Sequence, residues 1–153
     1  MRVAVGSDHA GFPLKQRIVD ELRRLGHEPI DVGTDSADVS VDYPGYGIAV
    51  GERVATRQAE RGVVVCATGI GISIAANKVE GVRASVVTSE DTARLTRADN
   101  DSNVLALGAK TAPSVEAALQ WLRVWLETPF EGGRHARRVD QIKDYETKHS
   151  RRS

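Results

Sequence analysis

The chain has 153 residues, 41% of them apolar, enough for one hydrophobic core and one domain. Its 21 basic and 21 acidic side chains cancel, which argues against a general attraction to nucleic acid or to a membrane surface. A single cysteine excludes an internal disulfide and a cysteine-based zinc site, and it suits a reducing cytoplasm.

The pattern alternates strands and helices. Met1–Gly6 reads as a short apolar strand. Phe12–Leu25 is helical, with Pro13 in its first turn and Leu14, Ile18, Leu22 and Leu25 at helical spacing, and Gly26 ends it. Pro29–Val32 is a second strand. Residues 33–45, rich in Asp, Ser, Gly and Pro, read as a loop. Tyr46–Gln58 is helical, Gly62–Cys66 a third strand, Gly71–Lys78 a helix and Arg83–Thr88 a fourth strand. Ser89 caps a helix that reaches about Ala98, with Glu90 and Asp91 in its first turn. Val104–Leu107 is the fifth strand, ended by Gly108. Ser114 opens a helix to about Glu127, and a last helix covers roughly Arg137–His149. The expected domain is 1–148, followed by a basic frayed tail over 149–153. No signal-peptide pattern opens the chain and no apolar run reaches membrane-spanning length, so a cytoplasmic protein is expected.

Strands separated by helices at this spacing imply a parallel sheet covered on both faces. Ligands of such sheets bind outside the carboxyl ends of the strands. The loops Ser7–Gly11, Ala67–Gly71, Thr88–Asp91 and Gly108–Lys110 should therefore share one rim.

Five places could carry chemistry. Cys66 ends a buried strand directly before a helix start, where negative charge is favoured; a buried structural thiol is the plainer alternative. Gly69-Ile70-Gly71-Ile72-Ser73 lacks the third glycine of a dinucleotide fingerprint and the Lys-Ser/Thr close of a Walker loop. It remains either a nest of N–H groups for an oxyanion or a tight helix–strand contact. Asp8 and His9 could grip hydroxyls and phosphate, or Asp8 could simply cap the first helix. Asn100 and Asn103 offer neutral hydrogen-bond groups for a sugar within a run that also reads as a turn. Arg134 and Arg138 are four apart, so two guanidinium forks on one helix face suit a phosphate monoester; a solvated helix start is the competing reading. Residues 134–153 carry seven basic against three acidic side chains.

Together these segments resemble the type B ribose-5-phosphate isomerase family, which includes the galactose-6-phosphate isomerase subunits. The resemblance rests on Gly6-Ser-Asp8-His9-Ala-Gly11, Asp42-Tyr43-Pro44, the run from Cys66 to Lys78, Asn100-Asp101-Ser102-Asn103-Val104 and Glu131-Gly-Gly-Arg134-His-Ala-Arg-Arg138-Val. It spans about residues 2 to 145. It implies an α/β fold: a Rossmann-like three-layer sandwich with a five-stranded parallel sheet and a C-terminal helix. It also implies a metal-free, cofactor-free aldose–ketose isomerase working through a cis-enediolate. On this resemblance Cys66 is the base, Thr68 assists at the sugar oxygens, and the N–H groups of Gly69 to Ser73 hold the enediolate. Asp8 and Tyr43 contact hydroxyls, while His9, Lys110, Arg134 and Arg138 hold the phosphate. The site lies between two subunits, the partner supplying Asn100 and the arginines, so a homodimer or a dimer of dimers is expected.

One position departs from the family. Members acting on ribose 5-phosphate carry a ring-opening histidine where this chain has Asp99. An aspartate can accept a proton from the anomeric hydroxyl, but a carboxyl is a weak donor near neutral pH. Either Asp99 does the work less well, or another group such as His9 helps, or the substrate is an acyclic tetrose phosphate. A sugar-phosphate sensor without turnover is a further alternative.

Overall fold

The structure is a computed structural model that describes residues 1–150. Five strands, β1 (Arg2–Ser7), β2 (Glu28–Asp31), β3 (Arg61–Cys66), β4 (Ala84–Val86) and β5 (Val104–Gly108), form one sheet in the order β2-β1-β3-β5-β4. All four pairings are parallel. The helices are α1 (Phe12–Arg24), α2 (Tyr43–Ala55), α3 (Ile70–Asn77), α4 (Glu90–Ala98), α5 (Val115–Glu127) and α6 (Arg134–Lys148). The expected five-stranded parallel sheet with helices on both faces is thus present, with a C-terminal helix added. No helix among the described residues is long and apolar enough to cross a membrane.

Alternation along the strands sorts the core into two layers. Val3, Val5, Val63, Val65, Leu105 and Leu107 point to the side covered by α1 and α5, where Trp121 and Trp125 fill the space. Ala4, Val64, Cys66, Val104 and Ala106 point to the other side, against Val50 and Val54 of α2 and Ile72 and Ala76 of α3. The second layer is built from smaller residues, so α2 and α3 approach the sheet closely. Cys66 therefore belongs to the α2–α3 side.

Helix α1 leaves β1 toward one face and α3 leaves β3 toward the other. The adjacent carboxyl ends of β1 and β3 are therefore the switch point of the sheet, where such folds form a crevice.

Two helices start earlier than their sequence suggests. Helix α2 begins at Tyr43 rather than Tyr46, because Pro44 sits in its first turn behind an extended Asp42. Helix α6 begins at Arg134 rather than Arg137, after Gly132 and Gly133 turn the chain with φ of 69° and 58°. This puts Arg134 and Arg138 in one continuous helix. Helix α6 ends at Lys148, and the His149 ring stacks on Tyr145 with centroids 4.1 Å apart. Of the tail expected over 149–153, residues 151–153 lie outside the described residues.

Buried Arg97 ties the amino side of the sheet together. Its guanidinium donates to Asp101 Oδ1 at 2.8 Å, to the Ser102 carbonyl at 2.7 Å and to the Thr128 carbonyl at 3.2 Å. Removing one partner of a buried ionic network leaves the others unpaired. Arg97→Met is expected to lower stability by about 3 kcal/mol, measured as a shift in urea midpoint. An unchanged midpoint would contradict that assignment.

Candidate active site

Cys66 is 5% exposed and occupies the last position of β3, opposite Gly108 of β5. Gly69 follows in the left-handed region, with φ of 78°. That turn aims its own N–H back at Cys66 Sγ, 3.2 Å away. A fixed N–H dipole on the sulfur stabilises negative charge there. Only glycine serves at 69: a Cβ would lie 2.9 Å from the Leu107 carbonyl carbon, apart from the cost of positive φ.

Of the five backbone donors expected between Gly69 and Ser73, three have acceptors within the chain. Gly69 N–H points at sulfur, Ile70 N–H donates to Thr68 Oγ1 at 3.2 Å, and Ser73 N–H donates to the Gly69 carbonyl. Gly71 and Ile72, in the first turn of α3, present N–H groups that bond nothing among the described residues. Tyr43 lies against this turn, with its ring so close to Gly71 that a Cβ there would be 2.6 Å from Cζ. Ser73 Oγ donates to the Ile70 carbonyl at 2.6 Å and so holds the turn. Gly69→Ala is expected to cut kcat about 10²-fold by displacing these donors, with a smaller change in KM, read from steady-state rates. An effect confined to KM would contradict this role.

The loop after β1 forms the opposite wall. Buried Asp8 accepts a bond from the Gly11 N–H at 2.9 Å, so one carboxylate oxygen holds the loop itself. Val41 N–H donates to His9 Nδ1 at 3.1 Å. The same nitrogen lies 3.2 Å from the Val41 carbonyl, so the Val41 backbone engages Nδ1 in either tautomer of the ring. Thr68 and Lys110 are exposed on the same rim, where Lys110 N–H bonds the Ala67 carbonyl at 2.9 Å.

Asp8, His9, Tyr43, Cys66, Thr68, Gly69, Ile70, Gly71, Ile72, Ser73 and Lys110 thus gather at the carboxyl rim. Asp99, Asn100, Arg134 and Arg138 do not join them. Asp99 and Asn100 follow the end of α4 and precede β5, at the amino rim. The strand between Val104 and Gly108 separates the rims by about 13 Å. Glu131 N–H bonds the Ala98 carbonyl at 3.0 Å and brings the start of α6 to the same place. Arg134, Arg138 and Asn100 are exposed there.

The amino-side group rests on a rigid floor. Asn103, a sequence candidate for sugar binding, is part of it: Oδ1 accepts from the Arg83 N–H at 2.8 Å and Nδ2 donates to the Gly81 carbonyl at 2.9 Å. The Arg61 guanidinium packs 5.1 Å from the Trp125 ring centroid, and burial, aided by the charge of Arg97, pushes it down to about 10. Sequence reading left His135 without a role. Its imidazole, 11% exposed, stands 3.5 Å from Asp99 Oδ1 and 3.9 Å from Glu131 Oε2. The Glu131–His135 spacing of one helical turn was the available signal; the contact with Asp99 had none.

Residues 3–142 match the family model described as Ribose/Galactose Isomerase. The chain is 45% identical over 141 residues to ribose-5-phosphate isomerase B of Escherichia coli, covering 92% of this chain and 93% of that one. The structure of Clostridium thermocellum ribose-5-phosphate isomerase B superposes with a TM-score of 0.94 at 48% identity, covering 98% of this chain and all of that one. The Mycoplasma genitalium ribose-5-phosphate isomerase B, solved with bound ribulose 5-phosphate, gives 0.92 at 35% identity, with 97% of each chain covered.

Proposed function

Because the chain belongs to the ribose/galactose isomerase family, we propose that it interconverts an aldose phosphate and its ketose, ribose 5-phosphate and ribulose 5-phosphate, through a cis-enediolate. The observation that carries this reading is Cys66 beside the Gly71 and Ile72 N–H groups, which bond nothing among the described residues. A base next to fixed N–H dipoles is what proton removal alpha to a carbonyl requires, because charge must be stabilised at oxygen as the proton leaves. Cys66 Sγ takes the proton from one carbon and returns it to the neighbour. Gly71 and Ile72 N–H groups hold the oxygens on which charge develops, with Gly69, Ile70 and Ser73 shaping that turn. Thr68 relays a proton between the two oxygens, and Asp8 and Tyr43 hold hydroxyls. The scheme uses neither metal nor cofactor.

Phosphate supplies binding free energy away from the reacting carbons, which orients them. His9 and Lys110 stand at the carboxyl rim for this purpose. Arg134 and Arg138 offer two forks but lie at the other rim of their own chain, so they serve the site of a second copy, together with Asn100. Ile70 and Ile74 of α3 are each 56% exposed, and Tyr43, Ile48, Ile142 and Tyr145 are also exposed. Apolar surface on α2, α3 and α6 fits coverage by that second copy, in a homodimer or a dimer of dimers. A thiol base fits a reducing cytoplasm.

Asp99 favours a second reading. A tetrose 4-phosphate cannot close a five-membered ring, so an enzyme without a strong ring-opening acid could serve it. The deciding assay compares kcat/KM on D-ribose 5-phosphate and D-erythrose 4-phosphate under reducing conditions. Efficient pentose turnover supports the first reading, and turnover of the tetrose alone supports the second. Binding without turnover of either would overturn both in favour of a sensor.

A further inference from the structure

We propose that Asp99 and His135 work as one proton-transfer pair that opens the ring of a cyclic sugar phosphate before isomerisation. The inference rests on the pentose reading above. A pentose 5-phosphate exists mainly as a furanose, whereas proton removal beside a carbonyl needs the open chain. Opening requires a base at the anomeric hydroxyl and an acid at the ring oxygen. Asp99 is half-buried and its Oδ1 lies 3.5 Å from His135 Nε2. One group is a carboxylate that accepts, and the other, when protonated, is the donor that a carboxylate cannot be.

The pair is held from both sides. Asp99 N–H bonds the Leu95 carbonyl at 2.8 Å, so Asp99 is locked to the end of α4. His135 N–H bonds the Gly132 carbonyl at 3.0 Å, and Glu131 is tied back to Ala98. Charged groups facing the imidazole are Asp99 from α4 and Glu131 from the turn before α6, both negative. His135 also lies next to Arg134 and three residues before Arg138, on the helix turn assigned to the phosphate. A sugar held by that phosphate brings its ring within reach of the pair.

The proton count closes. Asp99 takes the proton of the anomeric hydroxyl, the electron pair forms the carbonyl, and the bond from the anomeric carbon to the ring oxygen breaks. His135 gives its proton to the departing ring oxygen. The proton on Asp99 then crosses to His135, restoring both groups with no net proton taken up.

The probe is 2-deoxy-D-ribose 5-phosphate, which forms the same ring but has no hydroxyl at the neighbouring carbon and so cannot become a ketose. Exchange between its two anomers is read by NMR magnetisation transfer, above the protein-free rate. The native chain should accelerate exchange. His135→Asn and Asp99→Asn should each lose about tenfold or more of that acceleration, with the dissociation constant for the probe changed less than about threefold. Free imidazole should restore exchange to His135→Ala, which a purely structural histidine would not permit. Native acceleration in His135→Asn, or a loss matched by an equal loss of affinity, overturns the proposal. Loss of exchange on adding a chelator also overturns it, assigning the three side chains to a metal ion. Failure of the isomerase reading is seen separately, as absence of ketose formation by the native chain.

Discussion

Cys66→Ala is expected to lower kcat for isomerisation by about 10²- to 10⁴-fold, the range for loss of a positioned base. Substrate affinity should hardly change. Cys66 is 5% exposed at the end of a strand, so removal of its sulfur leaves the rim loops in place. The Gly71 and Ile72 donors depend on the left-handed turn at Gly69 and on the Ser73 bond to Ile70, neither of which involves the sulfur. The Gly69 N–H loses its acceptor and becomes a third donor toward the site. Two measurements separate base from scaffold: turnover under reducing conditions, and calorimetric affinity for the sugar phosphate. Turnover above about a tenth of the native rate would remove Cys66 from the base position, since it lies below the smallest loss expected.

The arginine pair carries the second large effect. Arg134 and Arg138 occupy successive turns of α6 and are exposed in the single chain. Each charge-assisted bond to a phosphate is worth roughly 1.5–3 kcal/mol. Replacing both by alanine should therefore reduce kcat/KM by about 10²- to 10⁴-fold, mostly through KM. Inorganic phosphate should lose its competition with the substrate in parallel. Lysine at both positions should recover only part of the loss, because an ammonium has no bidentate fork. The fold should tolerate these changes within about 0.5 kcal/mol, as for other surface positions. An unchanged KM would place the phosphate elsewhere.

Much of this was readable from residue order. The unbroken apolar run Val63-Val64-Val65-Cys66 predicts a buried strand, and the glycines after it predict a turn at its carboxyl end. Ser89 and Ser114 were expected to open helices, and each accepts a bond from an N–H in the first turn. Glycine and proline were weaker guides. Pro44-Gly45 and Gly132-Gly133 suit a loop or a helix start equally well, so α2 and α6 were each expected three residues late. Asn103 shows the limit of reading polarity as availability, because its amide is consumed in pairing the edge strand. The separation of the two side-chain groups was within reach of chain order, since a segment between a helix and the next parallel strand lies at the amino rim. The meeting of Asp99 with His135 was not, because it joins segments 36 positions apart through the bond from the Glu131 N–H to the Ala98 carbonyl.

On the proposed function, each site needs the carboxyl rim of one chain and the amino rim of another. The most direct measurement mixes two inactive variants, Cys66→Ala and the Arg134→Ala/Arg138→Ala double variant, under conditions that allow subunits to exchange. A shared site predicts that activity returns to about a quarter of the native value, because half the dimers are mixed and each holds one intact site. A mixture that stays as inactive as its parents, with exchange demonstrated, would mean that a single chain builds the whole site and would contradict the account.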